Sequence, residues 1–169
     1  MIRILLISDS HGISEKELKK IIQSNNADYA CHLGDHLLDQ TIMESLFTKY
    51  VNGNCDLVSS HKQIDWKIID PTSNQKYNFT LLHGDRPGCY DTNQLIDNLV
   101  NLAKTKGNQF ILFGHTHIPF FKKIDDVYLI NPGSLQMNRL SDVKQSFAIL
   151  TINNQDVNVD FFKYEPNNL

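Results

Sequence analysis

This chain of 169 residues contains no apolar run near the roughly 20 residues that a bilayer-spanning helix needs. The stretch Ile4 to Ile7 is too short for the core of a signal peptide, and polar Ser8 and Asp9 follow it at once. No membrane association is expected. Basic charge is also scarce. Sixteen Lys and Arg stand against 19 Asp and Glu, a formal net charge of −3. A nucleic-acid binder presents a basic face to the phosphates, so stable nucleic-acid binding is not expected either. A small phosphate ligand would need its counter-charge from elsewhere, for instance from metal ions. Cysteine is sparse: Cys31, Cys55 and Cys89, an odd count with no CxxC spacing. That fits free thiols in a reducing, cytoplasmic setting. There is no internal repeat, low-complexity tract or linker. Residues 1–169 are therefore expected to form one domain, long enough to bury a core.

What is present is a succession of short apolar runs. IRILLIS and DYACHLGD read as buried strands. Between them Ser14 caps a helix, Glu17 completes a capping box, and Leu18, Ile21 and Ile22 supply one apolar face. DQTIMESLFTKY reads as a helix, and YVNGNCD as a short strand running into a turn. Then the period changes. QIDWKIID and KYNFTLL alternate apolar and polar residues on both sides of a turn-rich DPTSNQ, the pattern of an antiparallel hairpin. A helix follows from Asp91 and stops at Gly107. QFILF is another buried strand. PFFKKI pairs with VYLI, and QSFAILTI with VNVDFFKY, leaving a frayed tail. Strand–helix alternation in the first half and hairpins in the second suggest two sheets face to face with helices outside.

Five of the predicted strands end in residues that can do chemistry. They give Asp9 and His11, then Asp35, Asn54, His83, and finally His115 and His117 in ILFGHTHIP. Each alone has an ordinary explanation as a turn residue, cap or hydrogen-bonded histidine. Together they offer four imidazoles, two carboxylates and an amide oxygen at the strand ends where α/β folds gather their ligands. That is enough for two divalent ions if one carboxylate bridges them. Mixed imidazole and carboxylate donors suit Mn²⁺, Fe²⁺ or Zn²⁺. A pair of ions about 3.5–4 Å apart is the standard arrangement for cleaving phosphoesters.

The ordered series D-x-H, GD, GN-x-D, H and GHxH resembles the calcineurin-like metallophosphoesterase superfamily. The short length, DSHG, GNCD and NPGS resemble its small YfcE-like phosphodiesterase branch, over residues 1 to about 150. The resemblance implies an α/β fold, a four-layer α-β-β-α sandwich of two mixed sheets flanked by helices. It also implies a ligand set. Asp9, His11, Asp35 and His117 would hold a first ion; Asp35, Asn54, His83 and His115 would hold a second, with Asp35 as the bridge. The ions are expected to be Mn²⁺, with Zn²⁺, Fe²⁺ or Ni²⁺ as the other candidates. Asn54, Asp35 and His83 would surround a hydroxide that attacks a small phosphodiester in line.

Two positions depart from the superfamily. Many members carry a histidine where Cys55 stands, and that histidine is thought to serve the leaving group or the phosphate. A thiol with an ordinary pKa of about 8.5 is a poor hydrogen-bond donor, so good leaving groups should be preferred. His36 and His61 are possible substitutes, expected instead to be solvent-exposed loop histidines. Asp85 stands where members often carry histidine; it either repels phosphate or supports a ligand histidine from behind. Asp56 is expected to orient the Asn54 loop, the NPGS turn (131–134) to be structural, and Arg139 to contact phosphate. The rivals to a phosphodiesterase are a non-catalytic scaffold, since the fold resembles a retromer subunit, and a phosphomonoesterase or nucleotidase. Exposed apolar residues in the second-half hairpins could support a homo-oligomer.

Overall fold

The computed structural model describes residues 1–85, 91–136 and 143–166. Its elements run β1 (Ile2–Ile7), α1 (Glu15–Ser24), β2 (Tyr29–Leu33), α2 (Gln40–Leu46), β3 (Lys49–Val51), β4 (Gln63–Ile69) and β5 (Lys76–Leu82). There follow α3 (Thr92–Lys106), β6 (Phe110–Leu112), β7 (Pro119–Ile124), β8 (Val127–Pro132), β9 (Ser146–Asn153) and β10 (Asp156–Lys163). One sheet has the order β10-β9-β1-β2-β3, the other β4-β5-β6-β8-β7. Both are mixed. In the first, β1 runs parallel to β2 and antiparallel to β9; in the second, β6 runs parallel to β5 and β8 while β4 and β7 close the edges antiparallel.

The two-residue period of a strand explains the layering. On β1, Ile4 and Leu6 point inward to meet Phe79, Leu81, Phe110 and Ile130 of the other sheet. Leu5 and Ile7 point outward onto Leu18 and Ile21 of α1 and Met43 of α2. On the far side Leu95, Leu99 and Ala103 of α3 cover Ile111 and Leu129. The result is the expected four-layer α-β-β-α sandwich. The second sheet is registered by a row of rings: Trp66 on Phe79 (5.2 Å), Phe79 on Phe110 (4.7 Å), Phe110 on Tyr128 (5.0 Å) and Tyr128 on Phe121 (6.4 Å). Such pairs contribute about 0.5–1.5 kcal/mol each beyond area burial. By fixing the register, the row aligns the ends of β5 and β6, where His83 and the GHTH loop emerge.

Helix ends follow local chemistry. Ser14 Oγ accepts the Glu17 N–H, Asp91 caps α3 through the N–H groups of Asn93 and Gln94, and Gly107 stops it at φ 68°. Two details differ from expectation. The Glu17 carboxylate accepts from buried Tyr164 Oη (2.8 Å), because a buried phenol needs a partner more than an exposed cap does. Also, α2 stops at Leu46 instead of continuing through Tyr50. There the Thr48 N–H reaches the Ala30 carbonyl (2.8 Å) and Tyr50 joins the sheet beside His32. Sheet pairing overrides helical periodicity. Cys31 is a buried free thiol and Cys55 an exposed one; Cys89 and Arg139 lie outside the described residues. Among the described residues no helix is long and apolar enough to cross a membrane.

Candidate metal centre

The loops after β1, β2, β3, β5 and β6 meet at one end of the sandwich. Backbone bonds tie the first two together, Asp9 N–H to Gly34 O (3.0 Å) and His11 N–H to Asp35 O (2.9 Å), and the Cys55 N–H ties the third to Asp35 Oδ1 (2.8 Å). Two more bonds cross between sheets. The His115 N–H donates to Asp9 Oδ2 (3.0 Å), and His83 Nδ1 lies 2.8 Å from the Leu33 carbonyl. A carbonyl can only accept, so Nδ1 carries a proton, and in the neutral ring Nε2 presents its lone pair. That lone pair faces Asp35 Oδ2 at 3.3 Å and Asp9 Oδ1 at 3.9 Å. His117 Nε2 lies 3.0 Å from Asp9 Oδ1, and His11 Nε2 lies 3.9 Å from both Asp9 Oδ1 and Asp35 Oδ2.

The backbone is bent to achieve this. Asp9, His11, Asp35, His115 and His117 have φ of 51°, 43°, 55°, 65° and 59°. The left-handed region costs a non-glycine residue about 1 kcal/mol or more, and such strain collects at functional sites. Glycines supply close approaches beside them. A Cβ on Gly53 would sit 2.1 Å from Asp35 Oδ1, and one on Gly114 would sit 2.0 Å from Ser8 Oγ. Asp56 pins the frame. Its carboxylate accepts the N–H groups of Asp35 (2.8 Å), His36 (2.9 Å), Leu37 (2.8 Å) and Gly53 (2.7 Å). It therefore orients the Asn54 loop, as expected from sequence, and holds the Asp35 loop as well.

Electrostatics show the strain of crowded donors. Burial would raise the Asp35 carboxyl, but the nearby His83 ring and the Cys55 N–H hold it well below the usual range. Burial would lower His83, but Asp35 and Asp9 raise it. His115 is lowered by burial and by His83. Three buried atoms, Asp9 Oδ1, His11 Nε2 and His83 Nε2, have no hydrogen-bond partner among the described residues. Acceptors facing one another without a donor are what a cation resolves. Three sets of ligand atoms lie mutually within 4.8 Å: Asp9–His11–His117, Asp9–Asp35–His83 and His11–Asp35–Cys55. These donors fit divalent ions.

Residues 2–155 match the model of the calcineurin-like phosphoesterase superfamily domain. The chain belongs to that superfamily. A "probable metallophosphoesterase" of Mycoplasma pneumoniae is 32% identical over 139 residues, 82% of each chain. A solved Streptococcus pneumoniae protein described as a predicted phosphoesterase superposes with TM-score 0.77 at 22% identity, over 98% of this chain and 94% of that one. A Vps29 from Entamoeba histolytica complexed with Zn²⁺ superposes with TM-score 0.67 at 20% identity, over 96% and 99% of the two chains. Metallophosphoesterases are metal-dependent hydrolases, and the donor set above is what such chemistry requires.

The remaining predicted residues of this superfamily member sit as follows. His115 places its ring 5.1 Å from that of His83, next to the three triads but in none of them. Asn54 is exposed and its Nδ2 donates to Cys55 Sγ (3.3 Å). Burial, then the hydrogen bond and charge of Asp35, push the Cys55 thiol up to about 11. Asp85 is half-buried, with its charge acting to raise His115. His61 is exposed and stacks on Tyr50 (5.9 Å). His36 corrects the expectation of an exposed loop histidine. It is buried, its Nδ1 accepts from the Leu38 N–H (3.0 Å), and its Nε2 donates to Asn52 Oδ1 (2.9 Å). The NPGS turn is structural in a specific way: Ser134 Oγ donates to the Asp9 carbonyl (2.9 Å) and Asn131 Nδ2 to the Gly114 carbonyl (2.7 Å). Sequence reading passed over His32. Fully buried, it takes the Gly34 N–H on Nδ1 (3.2 Å) and contacts Ser10 Oγ through Nε2 (3.0 Å). Its position inside ACHLGD, one residue before Leu33 and three before Asp35, was the available signal.

Proposed function

We propose that this superfamily member is a phosphodiesterase that works with two divalent ions. The observation that carries the reading is the group of unpartnered buried atoms on Asp9, His11 and His83, all aimed into one space. Asp9, His11, Asp35 and His117 would hold one ion; Asp35, Asn54, His83 and His115 would hold the other, with Asp35 shared. When bound, the ions supply the positive charge that activates water and neutralises a phosphate, which a chain of net charge −3 lacks. The residues do the rest. Asp35 is held by Asp56 from behind and by the Cys55 N–H in front (2.8 Å), so its carboxylate cannot turn away from the site. The Leu33 carbonyl fixes the His83 tautomer, keeping Nε2 unprotonated towards the ion. Cys55, with its raised thiol, remains protonated and donates only weakly, so leaving groups that need no proton are favoured.

The ions are proposed to be Mn²⁺, with Zn²⁺, Fe²⁺ and Ni²⁺ as competitors, and the setting cytoplasmic. A binding module of the same fold is the second reading. It is favoured by the structural likeness to Vps29, whose Zn²⁺ complex shows that ion binding alone does not separate the two. The test strips the protein with chelator, restores Mn²⁺ and assays bis(p-nitrophenyl) phosphate beside p-nitrophenyl phosphate. Activity on the diester is expected only with the ion restored. Full activity in stripped protein would end the metal reading; activity on the monoester alone would make it a phosphomonoesterase; none with any divalent ion would leave the binding module.

A further inference from the structure

An apolar lip stands beside the metal centre. Leu57 is 98% exposed, Val58 47% and Leu37 46%. Single exposed apolar residues are commonplace. These three, however, sit on the two loops that deliver Asp35 and Asn54–Cys55, and those loops are built to be rigid. Asp56 staples one to the other through its four N–H contacts. Asn52 closes the neck of the second loop. Its Nδ2 donates to the carbonyls of Val58 (3.1 Å) and Ser60 (2.9 Å), and its N–H donates to the His61 carbonyl (3.0 Å). Leu37 is held at φ 57°, a conformation leucine rarely adopts. Between the loops lies a cleft of about 60 Å³, lined by the apolar side chains of Leu38, Tyr50, Leu57 and Val58 and by five polar residues, the carboxylates of Asp39 and Asp56 among them. It has room for about two waters or the leading edge of one ring. The His36, Asn52 and Asp56 side chains already bond to one another or to backbone, and Gln40 bonds Glu44, so these four have little left to offer an occupant beside the apolar contact.

We propose that the lip and cleft receive a flat, apolar ester group of the substrate, so that the site selects aryl-type phosphodiesters over small alkyl ones by contact. This rests on the phosphodiesterase reading above. Cys55 Sγ lies within 4.8 Å of ligand atoms on His11 and Asp35, and Leu57 is two residues further, about 7 Å of chain. A group esterified to a phosphate held by those residues reaches the lip. A protein partner fits less well. Three side chains cover far less than the roughly 800 Å² per partner of a standard interface, but they match the about 150–250 Å² of one ring.

The test uses Leu57→Ser, alone and with Val58→Ser, in the full-length protein loaded with Mn²⁺. A side chain 98% exposed can be changed without touching the core, so the melting temperature should not move. Equilibrium binding of phenylphosphonate and methylphosphonate is measured first. Wild type should favour the phenyl compound, and the variants should bind it about 5- to 10-fold more weakly, with methylphosphonate unchanged. In parallel, KM for bis(p-nitrophenyl) phosphate should rise by a similar factor with kcat unchanged. Equal binding of the two phosphonates by wild type, or no change in the variants, overturns the proposal. A change of oligomeric state in the variants, with phenylphosphonate binding unaltered, overturns it in favour of a protein contact. Phenyl preference without any diester hydrolysis would keep the lip and remove the phosphodiesterase reading; hydrolysis without that preference would do the reverse.

Discussion

The two sheets make different contributions to the candidate metal centre. The first, through the loops after β1, β2 and β3, supplies Asp9, His11, Asp35 and Asn54: both carboxylates, the amide and one imidazole. The second, through the loops after β5 and β6, supplies His83, His115 and His117, imidazoles alone. The closest pairs, His117 with Asp9 at 3.0 Å and His83 with Asp35 at 3.3 Å, join one sheet to the other. Within the first sheet His11 alone brings an imidazole to the carboxylates, at 3.9 Å; the closer pairs form only when the sheets are packed. The site is a property of the sheet interface, and neither sheet holds it alone.

Loosening that interface should have the largest effect. Phe79 is fully buried between the sheets and stacks on Phe110. Phe79→Ala should cost about 3–5 kcal/mol by urea denaturation, a large share of a typical domain's stability, and weaken metal binding with it. Removing the proposed bridge comes next. Asp35→Asn should lower diester hydrolysis at least ~100-fold and cut Mn²⁺ stoichiometry at both sites; two ions still bound at full occupancy would refute the bridge. His117→Ala removes a donor of one sheet only. It should weaken the first ion about 10- to 100-fold and spare the second, as a titration resolving two binding steps would reveal.

The smallest effect concerns His32, behind the first sheet's ligands. Burial, then the charge of His36, lowers its pKa well below the ordinary value. The unfolded chain then binds a proton below about pH 6.5 that the folded chain refuses, so stability is present above that pH and lost as pH falls. The slope is at most about 1.4 kcal/mol per pH unit. Denaturation midpoints at pH 7 and pH 5.5 should differ less in His32→Gln than in wild type. His36, His83, Asp35 and His11 interact with His32, so the difference reads His32 together with that coupling.

Much of this was legible from local pattern. Two-residue alternation placed the hairpins, Asp91 and Gly107 bracketed α3, and ligand-type residues at strand ends marked the site. What escaped was set by distant partners. α2 was read four residues too long because nothing near Phe47 in sequence announces that Thr48 will reach Ala30. His36 looked like a loop residue because its burial depends on Asn52 and Asp56, 16 and 20 residues away. The left-handed backbone at five candidate ligands has no local signature either, since Asp and His tolerate it without demanding it. The neighbouring glycines hinted at it: Gly12, Gly34 and Gly114 each adjoin one of those residues.

Those five φ angles have a consequence for how the molecule could change. At Asp9, His11, Asp35, His115 and His117 the backbone alone would prefer glycine. A chain released from any duty to bind ions could exchange these side chains one at a time, relieving torsional strain at each. Its fold would grow calmer as its chemistry disappeared. Loss of activity in such a sandwich therefore releases torsional strain, a slope from hydrolase towards inert platform, offset at Asp9 and Asp35 by the N–H groups of His115 and Cys55 that would lose their acceptors. This chain holds all five positions against that slope.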